Sequence, residues 1–231
     1  MDESQLLSEI YSVDTTLVVG DNGSGKTTFC LNHPKRSEGV YIDLEDRYAK
    51  LLKAKGINDL IEADSIESIT KGTFISCRVI NDDYQVDHPR TFSVLQNVVK
   101  KLVLDIEPEL IVVDGVSDLR RMATDKYTTE TNKKAFTEMQ WGQINDMVKE
   151  IIFPLINYCS INDKFLILTT LWEDEYEGRV VVGKKIAAKE YITSNINQII
   201  YLEKRGVTFY IERGKSWYPP TEPIEITGVF K

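Results

Sequence analysis

The sequence predicts an α/β fold with a mostly parallel sheet flanked by helices and an antiparallel extension near the C-terminus. Short aliphatic runs bounded by polar residues, which are typical of strands covered on both faces, alternate with stretches of helical periodicity. The last third of the chain carries strand patterns with little helix between them. We expect a single domain over residues 1–231, in which residues 1–15 form a short segment ahead of the first strand.

Four aliphatic runs predict the parallel strands, and 74–80 FISCRVI is a fifth candidate. The four are 16–20 TLVVG, 40–44 VYIDL, 110–114 LIVVD and 165–170 FLILTT. Helical patterns at 91–104 and 140–158 lie between strands, and we expect Pro154 to kink or split the second helix. For the antiparallel extension we expect strands at 179–182, 197–203, 207–212 and 223–227, with a hairpin turn at 204–206.

The composition suits one hydrophobic core and argues against several classes of protein. Of the 231 residues 42% are apolar, and 28 basic against 36 acidic residues give a net charge of −8, unlike a surface coated in basic patches. Cys30, Cys77 and Cys159 lie far apart and indicate neither a zinc site nor a disulfide framework. No apolar run approaches the roughly 18 residues that cross a membrane, and the acidic N-terminus is unlike a signal peptide. We therefore expect a cytoplasmic protein without a membrane partner.

Residues 20–28, GDNGSGKTT, follow the first strand and match the phosphate-binding pattern G-x-x-x-x-G-K-[ST]. Glycines let the backbone curl so that successive N–H groups face an anion at the start of a helix. Lys26 then reaches the outer phosphates, and the Thr27 hydroxyl is placed to ligate Mg²⁺. The pattern predicts ATP with Mg²⁺, against the alternative of a chance glycine turn. The candidate nucleotide-binding residues are Gly20, Asp21, Asn22, Gly23, Ser24, Gly25, Lys26, Thr27 and Thr28.

Carboxylates at the ends of two other predicted strands complete a candidate hydrolysis site. Asp114 ends an apolar strand, where a buried carboxylate is unfavourable unless it meets a metal or a partner, so it is the second candidate metal ligand beside Thr27. Asp43 and Glu45 lie two residues apart, a spacing that puts both on one face toward the ligand crevice, where a base would orient the attacking water. The alternatives are an Asp that only caps a turn and a solvated acidic cluster, DLEDR.

The segment IDLEDRYAKLLKAKGINDLIEAD, with the later strand that ends at Asp114, resembles the P-loop NTPase core of RecA-like recombinases. The resemblance implies that Glu45 is the catalytic base. It also implies that Arg213 and Lys215, in FYIERGKSW, are the cation pair that RecA-like oligomers insert into a neighbouring subunit's ATP site. A homo-oligomer, either a ring or a filament, follows from it, whereas the alternative is a basic turn at a strand end. The candidate catalytic residues are Lys26, Glu45, Asp114, Arg213 and Lys215.

A longer stretch, from QWGQINDMVKEIIFPLINY to NINQIIYLEKRG, is similar to small core-only RecA-like ATPases of phages and archaeal viruses, some of which act in single-strand annealing and recombination. The resemblance covers roughly residues 16–218 and implies single-stranded DNA as a partner, with a single-strand-binding or recombinase protein as a further one. For a viral protein the compartment would be the host cytoplasm. Relatives carry His or Gln after the TT strand to sense the γ-phosphate, where this chain has Leu171 and Trp172. That role then falls to Thr169 or Thr170, or is absent.

Two segments are candidate DNA-contacting loops, because the corresponding loops of RecA-like proteins face the central channel. The first, 119–134, combines basic side chains with Tyr127, which can stack on a base. The second, 173–187, is basic only after an acidic start, EDEYE, and ordinary solvated loops are the alternative for both. The candidate DNA-contacting residues are Arg120, Arg121, Lys126, Tyr127, Lys133, Lys134, Lys184 and Lys185.

These motifs together predict a Mg²⁺-dependent RecA-like ATPase that acts on single-stranded DNA in recombination, annealing or repair. Two alternatives stay open. One is a nucleotide-binding recombinase paralogue or regulator with weak turnover, which the missing His or Gln sensor suggests. The other is a small-molecule P-loop kinase, which needs the phosphate loop and Asp114 but no water-activating Glu45.

Overall fold

A nine-stranded sheet forms the centre of the computed structural model, and helices cover both of its faces. The structure describes residues 3–133, 135–177, 180–187, 192, 195–213 and 224–226. The helices are α1 (Glu3–Tyr11), α2 (Lys26–Leu31), α3 (Tyr48–Lys55), α4 (His88–Lys101), α5 (Leu119–Thr131) and α6 (Glu138–Ile161). The strands are β1 (Thr15–Gly20), β2 (Gly39–Asp43), β3 (Ile61–Glu62), β4 (Thr73–Ser76), β5 (Leu110–Asp114), β6 (Phe165–Thr170), β7 (Trp172–Glu177), β8 (Val180–Ile186), β9 (Gln198–Arg205), β10 (Thr208–Arg213) and β11 (Ile224–Glu225).

The strands of the large sheet follow the order β11-β10-β9-β1-β6-β5-β2-β4-β3. All neighbours from β9 to β3 pair in parallel, while β10 and β11 add the antiparallel extension. The predicted α/β class, the parallel strands and the antiparallel extension are therefore confirmed. Because β6 lies between β1 and β5, the carboxyl ends of these three strands meet at one edge of the sheet, where the phosphate loop begins.

Alternation along each strand divides the apolar residues between two cores. On β1, for example, Leu17 and Val19 face α4, α5 and α6, whereas Val18 faces α1, α2 and α3. Both sets are almost fully excluded from solvent, as the near-continuous aliphatic runs predict for a parallel sheet that is covered on both sides. The segment ahead of β1 contributes as well, since Leu6 and Ile10 of α1 are buried in the second core.

Outside the segment 172–186, the structure differs from the predicted elements in three places. The segment 119–134 is not a loop: α5 occupies most of it, because Leu119, Met122 and Ala123 are buried where α5 contacts α4 and α6. The strand predicted at 74–80 ends at Ser76. Helix α6 is not split, since it continues through Pro154 with buried residues on both sides of it.

The segment 172–186 forms a separate two-stranded sheet. We expected 179–182 to extend the large sheet, but β8 pairs antiparallel with β7 alone, from Trp172 opposite Ile186 to Glu177 opposite Val180. The extension itself consists of the hairpin β9–β10, which turns at Gly206, and the short β11.

Candidate nucleotide site

The phosphate loop curls between the end of β1 and the start of α2, and three glycines make this path possible. Gly23 and Gly25 have φ of 78° and 95°, a left-handed conformation that side chains disfavour. A Cβ on Gly20 would collide with the Ser24 hydroxyl and stand 2.5 Å from the carbonyl oxygen of Leu202. The loop is therefore a cradle of backbone, the form that an oxyanion site takes in proteins.

Lys26 opens α2, and its ammonium group lies inside the loop. Its Nζ donates to the carbonyl oxygens of Gly20 at 2.8 Å and Asp21 at 3.1 Å. Burial lowers the pKa of Lys26, while the carboxylates of Glu45 and Asp114 act in the opposite direction. A buried ammonium group is stabilised by nearby negative charge, so this residue suits an anionic ligand in the cradle.

A chain of hydrogen bonds runs along the carboxyl edge of the sheet. The Thr27 hydroxyl donates to Oδ2 of Asp114 at 2.8 Å. The Thr169 hydroxyl donates to Oδ1 of the same carboxylate, and the Gly115 N–H donates to the Thr169 hydroxyl at 2.9 Å. Thr169, on the strand between β1 and β5, thus fixes the Asp114 carboxylate where Thr27 meets it.

The donor set of Thr27 and Asp114 fits a hard divalent cation. A hydroxyl and one carboxylate, completed by phosphate oxygens and water, are the ligands that Mg²⁺ takes at nucleotide sites. Beside them the buried Ser24 Oγ has no hydrogen-bond partner within the described residues. Among the residues that the structure describes, no cluster of three or more His, Cys, Asp or Glu side chains could hold a metal by itself. The site therefore suits a Mg²⁺ ion that binds together with a nucleotide.

Glu45 packs over Gly115, next to the Asp114 carboxylate. A Cβ on Gly115 would stand 2.7 Å from Glu45 Cγ. Oε2 of Glu45 forms an ion pair with Nη2 of Arg47 at 2.8 Å. Burial is the main cause that raises the pKa of Glu45; the Asp114 carboxylate raises it further, and Arg47 lowers it. A carboxylate with a raised pKa beside a phosphate cradle has the properties of a general base.

Asp43 builds the turn that carries Glu45 rather than sharing its role. The Asp43 carboxylate accepts the N–H groups of Glu45 at 3.0 Å, Arg47 at 2.7 Å and Tyr48 at 2.8 Å. Burial raises the pKa of Asp43, and these three hydrogen bonds act against the rise. Its oxygens thus bind the backbone after β2 and do not face the crevice together with Glu45.

The two candidate sensor residues are both engaged within the protein. Thr169 binds Asp114, as described above, and the Thr170 hydroxyl donates to the carbonyl oxygen of Ala187 at 2.9 Å. Ser117 Oγ lies 3.3 Å from the Thr170 hydroxyl and accepts the Leu171 N–H at 3.0 Å. A sensor role for either threonine stays a prediction, and their observed contacts order the Asp114 carboxylate and the start of the β7–β8 hairpin.

Two candidate DNA-contacting residues of α5 are held by neighbouring helices. Lys126 Nζ donates to Ser93 Oγ at 2.9 Å and pairs with Glu130 at 2.8 Å. The Arg120 guanidinium lies over the Trp141 ring, 4.9 Å from its centroid. These contacts give both side chains a structural role, and DNA contact by them stays a prediction.

Tyr127, the candidate stacking residue, also has partners on the protein. Its hydroxyl donates to Gln143 Oε1 at 2.7 Å, and its ring meets the Phe136 ring edge-on at 5.9 Å. Arg121 and Lys133 are exposed. They are the described residues of this segment that could meet a phosphate backbone without first leaving an observed partner.

The remaining candidates lie in the hairpin or outside the described residues. Lys185 pairs with Glu173 at 3.5 Å across β7 and β8, as the acidic start of the segment would favour. Arg213 ends β10 opposite Ile200, but its side chain and that of Lys184 are not among the described parts. Lys134 and Lys215 lie outside the described residues.

The structure adds residues that sequence reasoning missed. Arg47 joins Glu45 to the phosphate loop, and its only signal was its position two residues after Glu45 in DLEDR. Trp172 stacks on Tyr201 with ring centroids 5.4 Å apart, and both line a cavity of about 530 Å³ beside the loop. No local pattern connects these two aromatics, because they belong to different sheets.

The chain has the α/β fold of a RecA-like core, with the phosphate-loop cradle at the carboxyl edge of its sheet. Among solved structures it is similar to one described as the crystal structure of the RadB recombinase. The TM-score is 0.53 at 16% sequence identity, and the match covers 93% of this chain and 87% of that one. No family model and no curated protein matches the sequence. None of the described helices is both long and apolar enough to cross a membrane.

Proposed function

We propose that this protein binds ATP with Mg²⁺, hydrolyses its outer phosphoanhydride bond, and acts on single-stranded DNA in recombination, annealing or repair. One observation carries the catalytic part: Thr27 and Asp114 form a hydrogen bond of 2.8 Å, and the Asp114 carboxylate is close enough to the Lys26 ammonium group and to the Glu45 carboxylate to act on the pKa of each. The residues that we propose to bind phosphate, to ligate the metal and to act as the base thus lie at one edge of the sheet.

Each residue has one task in this proposal. Lys26 binds the outer phosphates, and Thr27 and Asp114 hold Mg²⁺, which when bound neutralises charge on the phosphates. Glu45 orients a water molecule and accepts its proton as the water oxygen bonds to the outer phosphorus and ADP leaves. The raised pKa of Glu45 makes it a stronger base than an exposed glutamate, which suits proton transfer from water.

Similarity of fold to a protein described as a recombinase supports the DNA part of the proposal. The narrower similarity to small phage and archaeal viral ATPases, with a single-strand-binding or recombinase protein as partner, rests on sequence patterns. The proposed assembly also rests on sequence patterns: Arg213 and Lys215 would complete a neighbouring subunit's site in a ring or filament. The exposed Arg121 supplies a basic group for a DNA strand.

The test is ATP turnover with and without single-stranded DNA, with free phosphate and ADP both measured. We expect Lys26→Ala to lose nucleotide binding and Glu45→Gln to bind but not turn over. Lys50→Ala and Glu62→Gln, which change an exposed lysine and an exposed glutamate elsewhere, are the matched controls. Undiminished turnover in Lys26→Ala and Glu45→Gln would refute the site, and turnover indifferent to DNA without DNA retention at low salt would refute the DNA role. Phosphate that appears on an added metabolite instead of in solution would indicate a kinase.

A nucleotide-dependent regulator with weak turnover is the second candidate. The favouring observation is that the hydroxyls of Thr169 and Thr170 are both engaged inside the protein, while Leu171 follows them in place of a polar sensor. Tight ATP binding with negligible turnover, even with DNA and at high protein concentration, would favour it. Rapid turnover would exclude it.

A further inference from the structure

Arg47 connects the two halves of the candidate site. One nitrogen, Nη2, lies 2.8 Å from Oε2 of Glu45 and donates to Oδ1 of Asn22 at 3.2 Å. Asn22 belongs to the phosphate loop, so a single guanidinium group bridges the candidate base and the candidate phosphate cradle. The Glu45 side chain is only 17% exposed at this contact, whereas that of Arg47 is 43% exposed.

The backbone under Arg47 is fixed while its side chain has room to move. The Arg47 N–H donates to Asp43 Oδ2 at 2.7 Å, and the preceding Asp46, with φ of 59°, turns the chain so that Glu45 and Arg47 meet. A long side chain on a fixed backbone can exchange partners at its tip without any change in the fold.

Arg47 also lies between two cavities. One, of about 230 Å³, is lined by the phosphate loop, including Gly25, Lys26 and Thr27. The other, of about 270 Å³, is lined by Glu45 and by Asn22. Arg47 lines both, so its guanidinium can face either the cradle or the carboxylate.

The charges around Arg47 favour an exchange of partner. Its positive charge lowers the pKa of Lys26 and lowers that of Glu45, so the guanidinium acts on both sides of the site. A bound triphosphate would bring several negative charges into the cradle, more than the single charge of Glu45. Planar guanidinium groups bind phosphate and carboxylate with the same two-pronged geometry, so the two compete for it directly.

We propose that Arg47 is a latch within the same subunit: it holds Glu45 in an ion pair in the nucleotide-free protein and moves to the outer phosphates when a triphosphate binds, which frees Glu45 to act as the base. This inference rests on the proposed function. It gives the site a cation of its own, separate from those that Arg213 and Lys215 would supply from a neighbour.

The first test measures nucleotide affinity by titration calorimetry, with a non-hydrolysable ATP analogue and with ADP, each with Mg²⁺. We expect Arg47→Ala to bind the analogue about tenfold to a hundredfold more weakly, since a charge-assisted hydrogen bond is lost, and to bind ADP as wild type does. Arg47→Lys keeps the positive charge but loses the two-pronged geometry of the guanidinium group. Its affinity for the analogue should therefore lie between those of wild type and Arg47→Ala. Arg36→Ala, which breaks an Arg–Asp59 ion pair of 2.7 Å elsewhere, is the matched control. Equal affinities in wild type and Arg47→Ala would overturn the proposal.

The second test measures the contact with Glu45 directly. Thermal unfolding of Arg47→Ala, Glu45→Gln and the double variant gives their coupling, which we expect to appear as a non-additive shift of about 2–4 °C in the nucleotide-free protein. With the ATP analogue bound the coupling should vanish. A coupling of the same size in both states would overturn the exchange, because Arg47 would then have stayed on Glu45.

Lys26→Ala separates this inference from the proposed function. Wild-type protein that binds neither nucleotide would refute the proposed function itself. If instead nucleotide binds and depends on Lys26 but not on Arg47, only the latch is refuted.

Discussion

Gly115→Ala tests whether the position of Glu45 matters for turnover. Gly115 has φ of 100°, outside the small left-handed region that other residues tolerate, so an alanine there is strained. The added Cβ would stand 2.7 Å from Glu45 Cγ, where ordinary contacts begin at 3.4 Å. Relief of that contact moves the carboxylate by about 1 Å, and a displacement of this size costs about a hundredfold in rate.

The assay compares ATP turnover, affinity for a non-hydrolysable analogue and stability to urea. We expect turnover to fall about a hundredfold, affinity to stay near wild type because Lys26 and Thr27 are untouched, and stability to fall by about 1–2 kcal/mol. Gly56→Ala is the control: φ is 65° and a Cβ there meets nothing within 4 Å. That variant should lose stability but keep its turnover.

The outcome that contradicts this reasoning is a Gly115→Ala variant that turns over ATP as fast as Gly56→Ala does. Glu45 would then either tolerate the displacement or take no part in the reaction. Loss of analogue binding in Gly115→Ala would also contradict it, because the damage would then have reached the phosphate loop.

Three further predictions concern other parts of the site. Thr169→Val leaves Asp114 short of one hydrogen bond, so we expect a loss of about 1–3 kcal/mol in urea unfolding; Thr169→Ser should restore most of it. Because the pKa of Glu45 is raised on folding, ionisation of this carboxyl costs stability as pH rises from the ordinary glutamate pKa through the raised one, so between acid and neutral pH wild type should lose stability relative to Glu45→Gln in the same assay. Arg121→Ala should reduce the salt dependence of DNA binding by about one unit of slope, whereas Lys126→Ala, which breaks its contacts with Ser93 of α4 and Glu130 of α5, should lower the melting temperature.

Sequence alone predicts the features of this fold that depend on local pattern. The glycines and Lys26 of the phosphate loop are set by backbone geometry and charge within nine residues, 20–28, so their spacing suffices. Asp114 is equally predictable from the sequence. The four aliphatic residues before it predict a buried strand, and a buried carboxylate is unfavourable without a partner. The structure places both at the same edge of the sheet.

What sequence could not predict depends on contacts between distant segments. Helix α5 is mostly polar, and only packing on α4 and α6 makes Met122 and Ala123 its buried face. The strand β8 has valines that suit the large sheet as well as a hairpin, and pairing with β7 decides between them. The link from Arg47 to Asn22 joins residues 25 positions apart, and no spacing within either segment predicts it.

Beside the end of β6, three hydrogen bonds hold the base of the hairpin β7–β8. Its end at Ala187 accepts from Thr170 at 2.9 Å and donates back to the carbonyl oxygen of Leu171 at 3.0 Å, while the Leu171 N–H is held by Ser117. The neighbouring residue, Thr169, is the one that fixes the Asp114 carboxylate. A displacement of the hairpin would therefore act on Thr170, one residue from the threonine that fixes the Asp114 carboxylate.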